Sequence, residues 1–473
     1  MQAKGENKGL CIRKSGLIVC GLKFAAVVFG AAMLLPMSAV GANVHYRWKT
    51  AADGNWNDKA NWEYSSEANG PWSELGEDIP VPNGSENYVK FSQMGTYTVT
   101  LNNDVLIAQI IVEGGSGINI VRPTFNLNGH ELKVWRSNAS FGHLHGGPNS
   151  RLLNSLSYPN TVWTFTNGSL CSVNNTGRLQ GGNNGGNIGL SHGAYVFDNV
   201  SFLLKGGISW YGDFRIFIQN GTVFTNVAEV ATYTNDDSII PKVWRPELCV
   251  RGNGSEFYSQ SLLKLGNNEA GLYSMSGALV DVSALVVGAN AAAPDSTKKD
   301  VCSTNCFAFA TNGTIKVRGD LELGSDYEMC VGPHLKIMGK NGVIMQTEAE
   351  GILKIYENTG AHIDITISED GFVDDADVPR APLQVNDIAF IVRNEGKTQC
   401  EAFKLNVIGA ADWLKEHPDE KLVLVELSTA NQTVLERIKD VVVSDVDASM
   451  FKVSSDCKKL VLGKPRGLVI NLM

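Results

Sequence analysis

NGTIKVRGDLELGSD, residues 312–326, places apolar side chains at every second position between an Asn-Gly dipeptide and a second glycine turn. Alternation with a period of two is the pattern of a β-strand that buries one face. It predicts that Ile315, Val317, Leu321 and Leu323 point to the same side of two short strands. Asn-Gly permits the left-handed backbone of a tight corner. The stretch is therefore one hairpin of a sheet or one coil of a repeat.

Two upstream stretches follow the same plan, which favours a repeat. They are NGSEFYSQSLLKLGNN (253–268) and SGALVDVSALVVGAN (276–290), and each closes on apolar residues and a glycine. The closing glycines Gly266 and Gly288 are 22 residues apart, whereas Gly288 and Gly324 are 36 apart with a polar loop between them. Without that loop the interval is about 21 residues, which is typical of a solenoid.

A solenoid of this kind stacks its coils as parallel strands and buries a column of aliphatic side chains. One coil cannot bury its own apolar face, so neighbouring coils have to stack. Asn-Gly also marks two-residue hairpins, and a sandwich of antiparallel hairpins stays open as the alternative. We predict an all-β chain, with the solenoid as the favoured architecture.

The first 42 residues have the pattern of a secretory signal peptide. Five basic residues and one acidic residue precede the apolar run FAAVVFGAAMLL (24–35), and small residues lead to a cleavage site after Ala42. We therefore predict an exported protein that is secreted or held at the cell surface. Within the rest of the chain no apolar run reaches 18 residues, so no transmembrane segment is predicted there.

The charge of the predicted mature chain argues against one class of partner. The whole chain has a net charge of −9, and loss of the first 42 residues leaves −13. An acidic surface repels the phosphate backbone, so we expect no nucleic-acid partner. No cofactor motif is present, and we expect no cofactor.

Helical periodicity occurs only near the carboxyl terminus, in GAADWLKEHPDE (409–420) and TANQTVLERIKD (429–440). Thr429 is the expected amino-terminal cap of the second helix. After the signal segment we divide the chain into an amino-terminal β cap with the first coils (43–135), a β-solenoid with loop insertions (136–370) and a small α/β carboxyl-terminal cap (371–473).

Two groups of residues have a structural and a functional interpretation. Cys302 and Cys306 form the only close cysteine pair, which predicts a loop disulfide or two thiols, since a zinc site needs a second pair. Trp48, Trp56 and Trp62 either seal the first coil or stack on sugar rings. Burial separates the two tryptophan interpretations, because a sugar platform has to be exposed.

The amino-terminal run GNWNDKANW (54–62), followed by YVKF, GTYTVTL, IAQIIV and FNLNGHELKV, resembles the opening of bacterial secreted proteins with autotransporter-associated β-strand repeats. The later units 276–290 and 312–326 resemble their repeats. The resemblance implies a right-handed parallel β-helix of the passenger type, displayed outside the cell. The last hundred residues lack the amphipathic strands of a membrane barrel, so we expect a passenger-type chain without one.

Catalysis is the alternative to a structural role, because β-helices also support polysaccharide lyases and glycoside hydrolases. Glycoside hydrolysis needs two carboxylates across one cleft. The candidate carboxylates are in NDD (235–237) and DDAD (374–377). The second of these segments also resembles an acidic calcium-binding loop, but it lacks the regular ligand spacing of one. Histidines in FGHLHGGP (141–148) and LSHGAY (190–195) are further candidates.

We assign no catalytic, cofactor or metal residue from the sequence. The favoured function is that of a non-catalytic structural or adhesin-like protein that touches polysaccharide or a neighbouring cell surface. The enzyme acting on polysaccharide remains the alternative.

Overall fold

The computed structural model describes residues 44–112, 121–134, 140–141, 161–172, 178–181, 193–205, 208–211, 214–233, 246–266, 269–289, 303–326, 330–393 and 400–464. These residues belong to one unit, Ala42–Met473. The predicted signal peptide, with its cleavage site after Ala42, lies outside them. The described chain is mostly β, as predicted, with one large mixed sheet that does not close. No helix in these ranges is long and apolar enough to span a bilayer.

The described strands, in chain order, are β1 (Val44–Trp48), β2 (Gly54–Asn55), β3 (Trp62–Ser65), β4 (Ser73–Glu74), β5 (Gly84–Phe91), β6 (Gly95–Thr100), β7 (Val105–Val112), β8 (Val121–Asn126), β9 (Glu131–Val134), β10 (Ser140–Phe141), β11 (Thr161–Ser172), β12 (Arg178–Gly181), β13 (Gly193–Leu204), β14 (Ile208–Tyr211), β15 (Phe214–Gln219), β16 (Val223–Asn226), β17 (Val230–Tyr233), β18 (Glu247–Arg251), β19 (Glu256–Gly266), β20 (Gly271–Met275), β21 (Leu279–Ala289), β22 (Ser303–Thr304), β23 (Phe307–Thr311), β24 (Thr314–Val317), β25 (Leu321–Leu323), β26 (Cys330–Val331), β27 (His334–Met338), β28 (Val343–Gln346), β29 (Leu353–Tyr356), β30 (His362–Thr366), β31 (Leu383–Val385), β32 (Ile388–Ile391), β33 (Lys404–Ile408), β34 (Leu422–Leu427), β35 (Val442–Ser444), β36 (Phe451–Val453) and β37 (Lys459–Leu462). Two α-helices, α1 (Ala410–Glu416) and α2 (Gln432–Asp440), lie near the carboxyl-terminal end.

The large sheet contains three parallel ladders, which we number by the order in which the chain visits them at each level. Ladder 1 includes β8, β11, β13, β15, β18, β20, β23, β27, β30 and β33. Ladder 2 includes β9, β11, β13, β16, β19, β21, β24, β28 and β31. Ladder 3 includes β14, β17, β19, β21, β25, β29 and β32.

The three similar stretches found in the sequence lie side by side, parallel and in register. Ile315 pairs with Val280, which pairs with Phe257. Leu323 pairs with Val287, which pairs with Leu265. An antiparallel hairpin within these units is therefore excluded. The four apolar residues predicted to share a face, Ile315, Val317, Leu321 and Leu323, are all fully buried.

The interval between paired residues of successive levels varies, and the period near 21 residues, obtained by leaving out an inserted loop, stays a prediction. Along ladder 3, Leu265, Val287, Leu323 and Ile355 are paired in turn and are 22, 36 and 32 residues apart. The interval varies because insertions between strands do not disturb the pairing of the strands themselves. Loops on a sheet surface tolerate such length changes at small entropic cost.

Two columns of phenylalanines run through the amino-terminal half of the core. On ladder 1, Phe125, Phe165 and Phe197 are paired in register, with ring centroids 5.1 and 5.7 Å apart. On ladder 2, Phe224 packs against Phe257 at 5.5 Å. Such pairs contribute roughly 0.5–1.5 kcal/mol each beyond burial of their area. Farther along ladder 2 aliphatic residues take over the same positions.

At the Asn312-Gly313 corner between ladders 1 and 2, the two residues have different roles. Asn312 takes the left-handed backbone, with φ of 48°. Gly313 has no positive φ, but a Cβ there would lie 2.6 Å from the carbonyl oxygen of Ser274. Asparagine therefore supplies the turn and glycine the close approach of neighbouring levels. Asn167 repeats the left-handed conformation and accepts a 3.1 Å hydrogen bond from Asn199 Nδ2.

The two ends of the sheet contain its antiparallel pairings. At the amino-terminal end β1 pairs antiparallel with β3, and β3 with β4. At the carboxyl-terminal end β37 pairs antiparallel with β34 and β36. Helix α2 begins after Asn431, whose side chain accepts the N–H of Val434 at 3.2 Å, so the prediction of Thr429 as its cap is wrong. Ladders cross both predicted domain boundaries, and that division stays a prediction.

Replacement of Phe224 by alanine should destabilise the fold by about 3–5 kcal/mol, because it leaves a cavity in the aromatic column. The matched control is Val223→Ala, one residue earlier on the opposite, 40% exposed face, which should change stability by less than about 0.5 kcal/mol. Urea unfolding followed by circular dichroism measures both. Equal effects of the two substitutions would contradict the assigned core.

Gly313→Ala should cost about 1–3 kcal/mol, because the added methyl group meets the backbone of the neighbouring level. Gly76→Ala is the control, since no atom lies within 4 Å of a Cβ there. Thermal unfolding of both variants measures the difference. A Gly313→Ala protein as stable as the control would show that the added methyl group does not clash with the neighbouring backbone.

Candidate functional site

The outer surface of ladder 1 has a row of ring side chains, which we call the aromatic face. Successive residues of a strand point to opposite sides, so the register that aligns the buried residues also aligns those outside. The rings of the aromatic face belong to β15, β20, β23, β27 and β30. They are Phe217, Tyr273, Phe307, Phe309, His334 and His362.

From β20 to β30 the rings of the aromatic face touch from one strand to the next. Tyr273 meets Phe307 edge-on with centroids 5.1 Å apart. Phe307 stacks on His334 at 5.5 Å, and His334 on His362 at 4.6 Å with an interplanar angle of 11°. Gly271 precedes this row in register, and a Cβ there would lie 2.7 Å from Phe307 Cζ. The glycine therefore leaves the space that the Phe307 ring occupies.

The two histidines of the row are held by the same local geometry. Nδ1 of His334 lies 3.0 Å from the carbonyl oxygen of Gly332, and Nδ1 of His362 lies 3.2 Å from that of Gly360. A carbonyl oxygen accepts, so Nδ1 carries the proton and donates in each ring. Burial lowers the pKa of His334 to about 4, so the ring is neutral at physiological pH. Its Nε2 is buried and has no hydrogen-bond partner among the described residues.

Two cations lie over rings of the aromatic face. Lys336 Nζ is 5.5 Å from the centroid of Phe307, and the guanidinium of Arg251 is 5.4 Å from that of Phe217. Asp364 follows Lys336 in register on the next strand. Its carboxylate accepts a 2.7 Å hydrogen bond from Asn406 Nδ2. The face thus combines flat apolar surface with hydrogen-bonding and charged groups, which is the usual composition of a ligand site.

The three tryptophans singled out in the sequence are part of the core. Trp48, Trp56 and Trp62 have relative exposures of 1%, 0% and 1%. The Trp62 ring lies 4.9 Å from Trp48 and 5.0 Å from Trp56, and Trp56 Nε1 donates to the Pro82 carbonyl at 2.8 Å. Stacking on a sugar needs an exposed ring face, so these rings are not a sugar platform. Their burial is what a hydrophobic seal requires.

The acidic cluster at 374–377 forms a turn. Asp374 accepts backbone N–H groups of Val378 and Ala376, each at 2.9 Å, and these bonds lower the pKa of its carboxyl. Asp377 forms a 2.9 Å ion pair with Lys340. The carboxylates therefore hold the local chain. The other acidic cluster, 235–237, lies outside the described residues.

Of the remaining candidates from the sequence, only Cys306 lies within the described residues. The histidines of 141–148 and 190–195 lie outside the described residues, as does Cys302. Cys306 is fully buried, so the predicted Cys302–Cys306 disulfide stays a prediction. In the ranges that the structure describes, no group of three His, Cys, Asp or Glu residues is placed to hold a metal ion.

Carboxylates also occur as a pair on ladder 3 and singly on ladder 2, but cations bind them. Lys354 Nζ lies 2.6 Å from Asp320 and 3.1 Å from Glu322 on ladder 3. On ladder 2, Asp281 is 3.2 Å from Arg318 Nε. Neither arrangement leaves an acid and a base facing one open cleft, which is the geometry that glycoside hydrolysis needs.

No family model, curated protein or solved structure matches the chain. The aromatic face was missed in the sequence, although one signal for it was present. GPHLKIM (332–338) and GAHIDIT (360–366) place a histidine two residues after a glycine at the start of a strand. Alignment of these two units would have placed His334 beside His362.

Replacement of His334 by phenylalanine should reduce the loss in free energy of unfolding that occurs as the pH falls from about 6.5 towards 4. The folded-state pKa of about 4 is below the unfolded value of roughly 6.5. The unfolded chain therefore binds more protons between these values, and stability falls as pH drops from about 6.5 towards 4, by at most about 1.4 kcal/mol per pH unit. His334→Phe keeps the stack on Phe307 and removes this contribution.

Urea unfolding at pH 4.5 and 7.5 measures the effect. The difference in stability between the two pH values should be smaller for His334→Phe than for the unsubstituted protein, with pH 7.5 as the internal reference. An unchanged difference would contradict the neutral, buried state of His334.

Proposed function

We propose that the three ladders are the faces of a right-handed parallel β-helix. Supporting this, the chain visits ladders 1, 2 and 3 in turn on successive levels, as in β23, β24 and β25 followed by β27, β28 and β29. Pairing between levels is parallel and in register, and the inward residues are buried. Handedness comes from the resemblance to autotransporter-type repeats and from the right-handed preference of parallel crossovers.

We propose that this β-helix is a secreted or cell-surface protein of structural or adhesin-like function, without catalysis, that contacts glycans through the aromatic face. The observation that carries the proposal is the row of touching rings on the outside of ladder 1, in which Tyr273, Phe307 and His362 are half-buried and His334 is buried. Flat rings match the apolar faces of pyranoses, and nearby polar groups can bind the hydroxyls. The predicted signal peptide supports export.

Binding is favoured over catalysis because two titratable groups of this face are hydrogen-bonded or buried. Asp364 is held by Asn406, and His334 is neutral and buried against its neighbours. A general base has to reach the proton that it removes. The alternative, a β-helix polysaccharide lyase or hydrolase, retains the acidic cluster 235–237 as its candidate.

Substitution of Tyr273 and Phe309, two half-buried rings of the aromatic face, should weaken glycan binding. The double variant Tyr273→Ala/Phe309→Ala removes stacking surface, and we expect about tenfold weaker binding to any glycan that the unsubstituted protein binds on an array. Tyr356→Ala is the matched control, because Tyr356 is a half-buried tyrosine on the outer side of ladder 3. It should bind as the unsubstituted protein does.

Isothermal titration of the array hits measures the affinities, and circular dichroism checks that each variant is folded. Failure to bind any glycan would overturn the proposed binding function. Release of new chain ends from a polysaccharide during a day of incubation, with or without calcium, would overturn the non-catalytic assignment instead.

A further inference from the structure

We propose that the aromatic face selects anionic glycans, and that Lys336 and Arg251 bind their carboxylate or sulfate groups. The inference deepens the proposed function, on which it rests, by naming the class of glycan. It comes from how charged side chains are arranged on the outer side of ladder 1.

Lys336 lies in the middle of the face and forms no ion pair with Asp364, the acid beside it in register. Phe309 and Asp364 flank it in register on the neighbouring strands. Its Nζ lies over the Phe307 ring, whereas the Asp364 carboxylate turns towards Asn406 and lies 3.6 Å from His362 Nε2. Among the described residues no carboxylate is within salt-bridge distance of Lys336. An ammonium beside rings that forms no ion pair among the described residues suits an acidic sugar.

Arg251 has a similar arrangement near the β15 end of the face. Its Nε donates to Gln219 Oε1 at 2.8 Å, and its guanidinium lies over Phe217. Its partner in the described structure is therefore a neutral amide, and within those residues no carboxylate comes within 4 Å of it. A guanidinium held in place by stacking and one amide is oriented to bind an oxyanion through its remaining N–H groups.

The other cations at the ends of the outer rows contrast with these two. Arg215 pairs with Glu247 at 3.2 Å, and Lys404 with Glu401 at 2.5 Å. The chain as a whole carries a net charge of −9. Two cations without an ion pair in the described ranges, each held beside a ring, are a local attraction for anions on an acidic protein.

The spacing of the two cations fits an extended ligand. The strands of Arg251 and Lys336 are separated by two strands, β20 and β23, which makes three strand steps. At about 4.8 Å per step the separation along the ladder is roughly 14 Å. Tyr273, Phe307 and Phe309 lie between them. A linear polyanion that runs along the ladder would therefore meet a cation, a set of rings and a second cation in that order.

Binding to two pairs of polysaccharides with matched backbones tests the inference. The pairs are polygalacturonate with its methyl ester, and dextran sulfate with dextran, so that carboxylate and sulfate are examined separately. We expect the charged member of at least one pair to bind more tightly, with binding that weakens between 50 and 300 mM NaCl. Lys336→Ala and Arg251→Ala should each weaken that binding roughly fivefold or more.

Lys452→Ala is the charge control, because Lys452 is an exposed lysine on β36, and Lys336→Arg should retain binding. Equal binding of charged and neutral members, or a Lys336→Ala protein that binds as the Lys452→Ala protein does, would overturn the inference. If neutral polysaccharides bind in a manner that depends on Tyr273 and Phe309, the proposed function stands and only the anion selectivity fails. Absence of binding to every glycan would overturn both.

Discussion

The parallel, in-register pairing of strands between levels is the constraint on which the rest of the structure depends. Equivalent residues of successive levels are paired, as Phe257, Val280 and Ile315 are on ladder 2. Each position therefore has to suit the residues before and after it along the ladder, at a strand spacing of about 4.8 Å. Inside, this favours columns of like side chains that bury one another. At the corners it brings backbone so close that Gly313 has room for no side chain.

The same constraint arranges the outer surface. Strands whose inward residues are aligned also have aligned outward residues, so rings that occur on neighbouring strands become a continuous row. Tyr273, Phe307, His334 and His362 form such a row from four strands that neighbour one another on ladder 1. A site on a rigid sheet holds its shape before the ligand arrives, which lowers the ordering cost of binding. Its length suits an extended ligand better than a small molecule.

The local sequence pattern predicted where strands form, and it predicted only some of the pairings between strands. The stretch 312–326 gave the correct buried face because alternation directly reflects which side of a strand faces the core. Both helices near the carboxyl end were also found by their periodicity, although Asn431 rather than Thr429 caps α2. The interval between levels could not be predicted, since insertions vary freely. The aromatic face was missed because its residues are 27 to 36 positions apart and only register brings them together.

The sequence by itself determined the β class, the buried face of each strand and the positions of many corners, because these depend on residues that are neighbours in the chain. Only the tertiary structure decided which strands pair, and therefore what lies beside each side chain. It placed Trp56 in the core, where three aromatic rings can exclude water from one another. It also placed Lys336 over Phe307 and beside Asp364 on the next strand. Such choices depend on contacts between distant segments, whose free energies no local pattern contains.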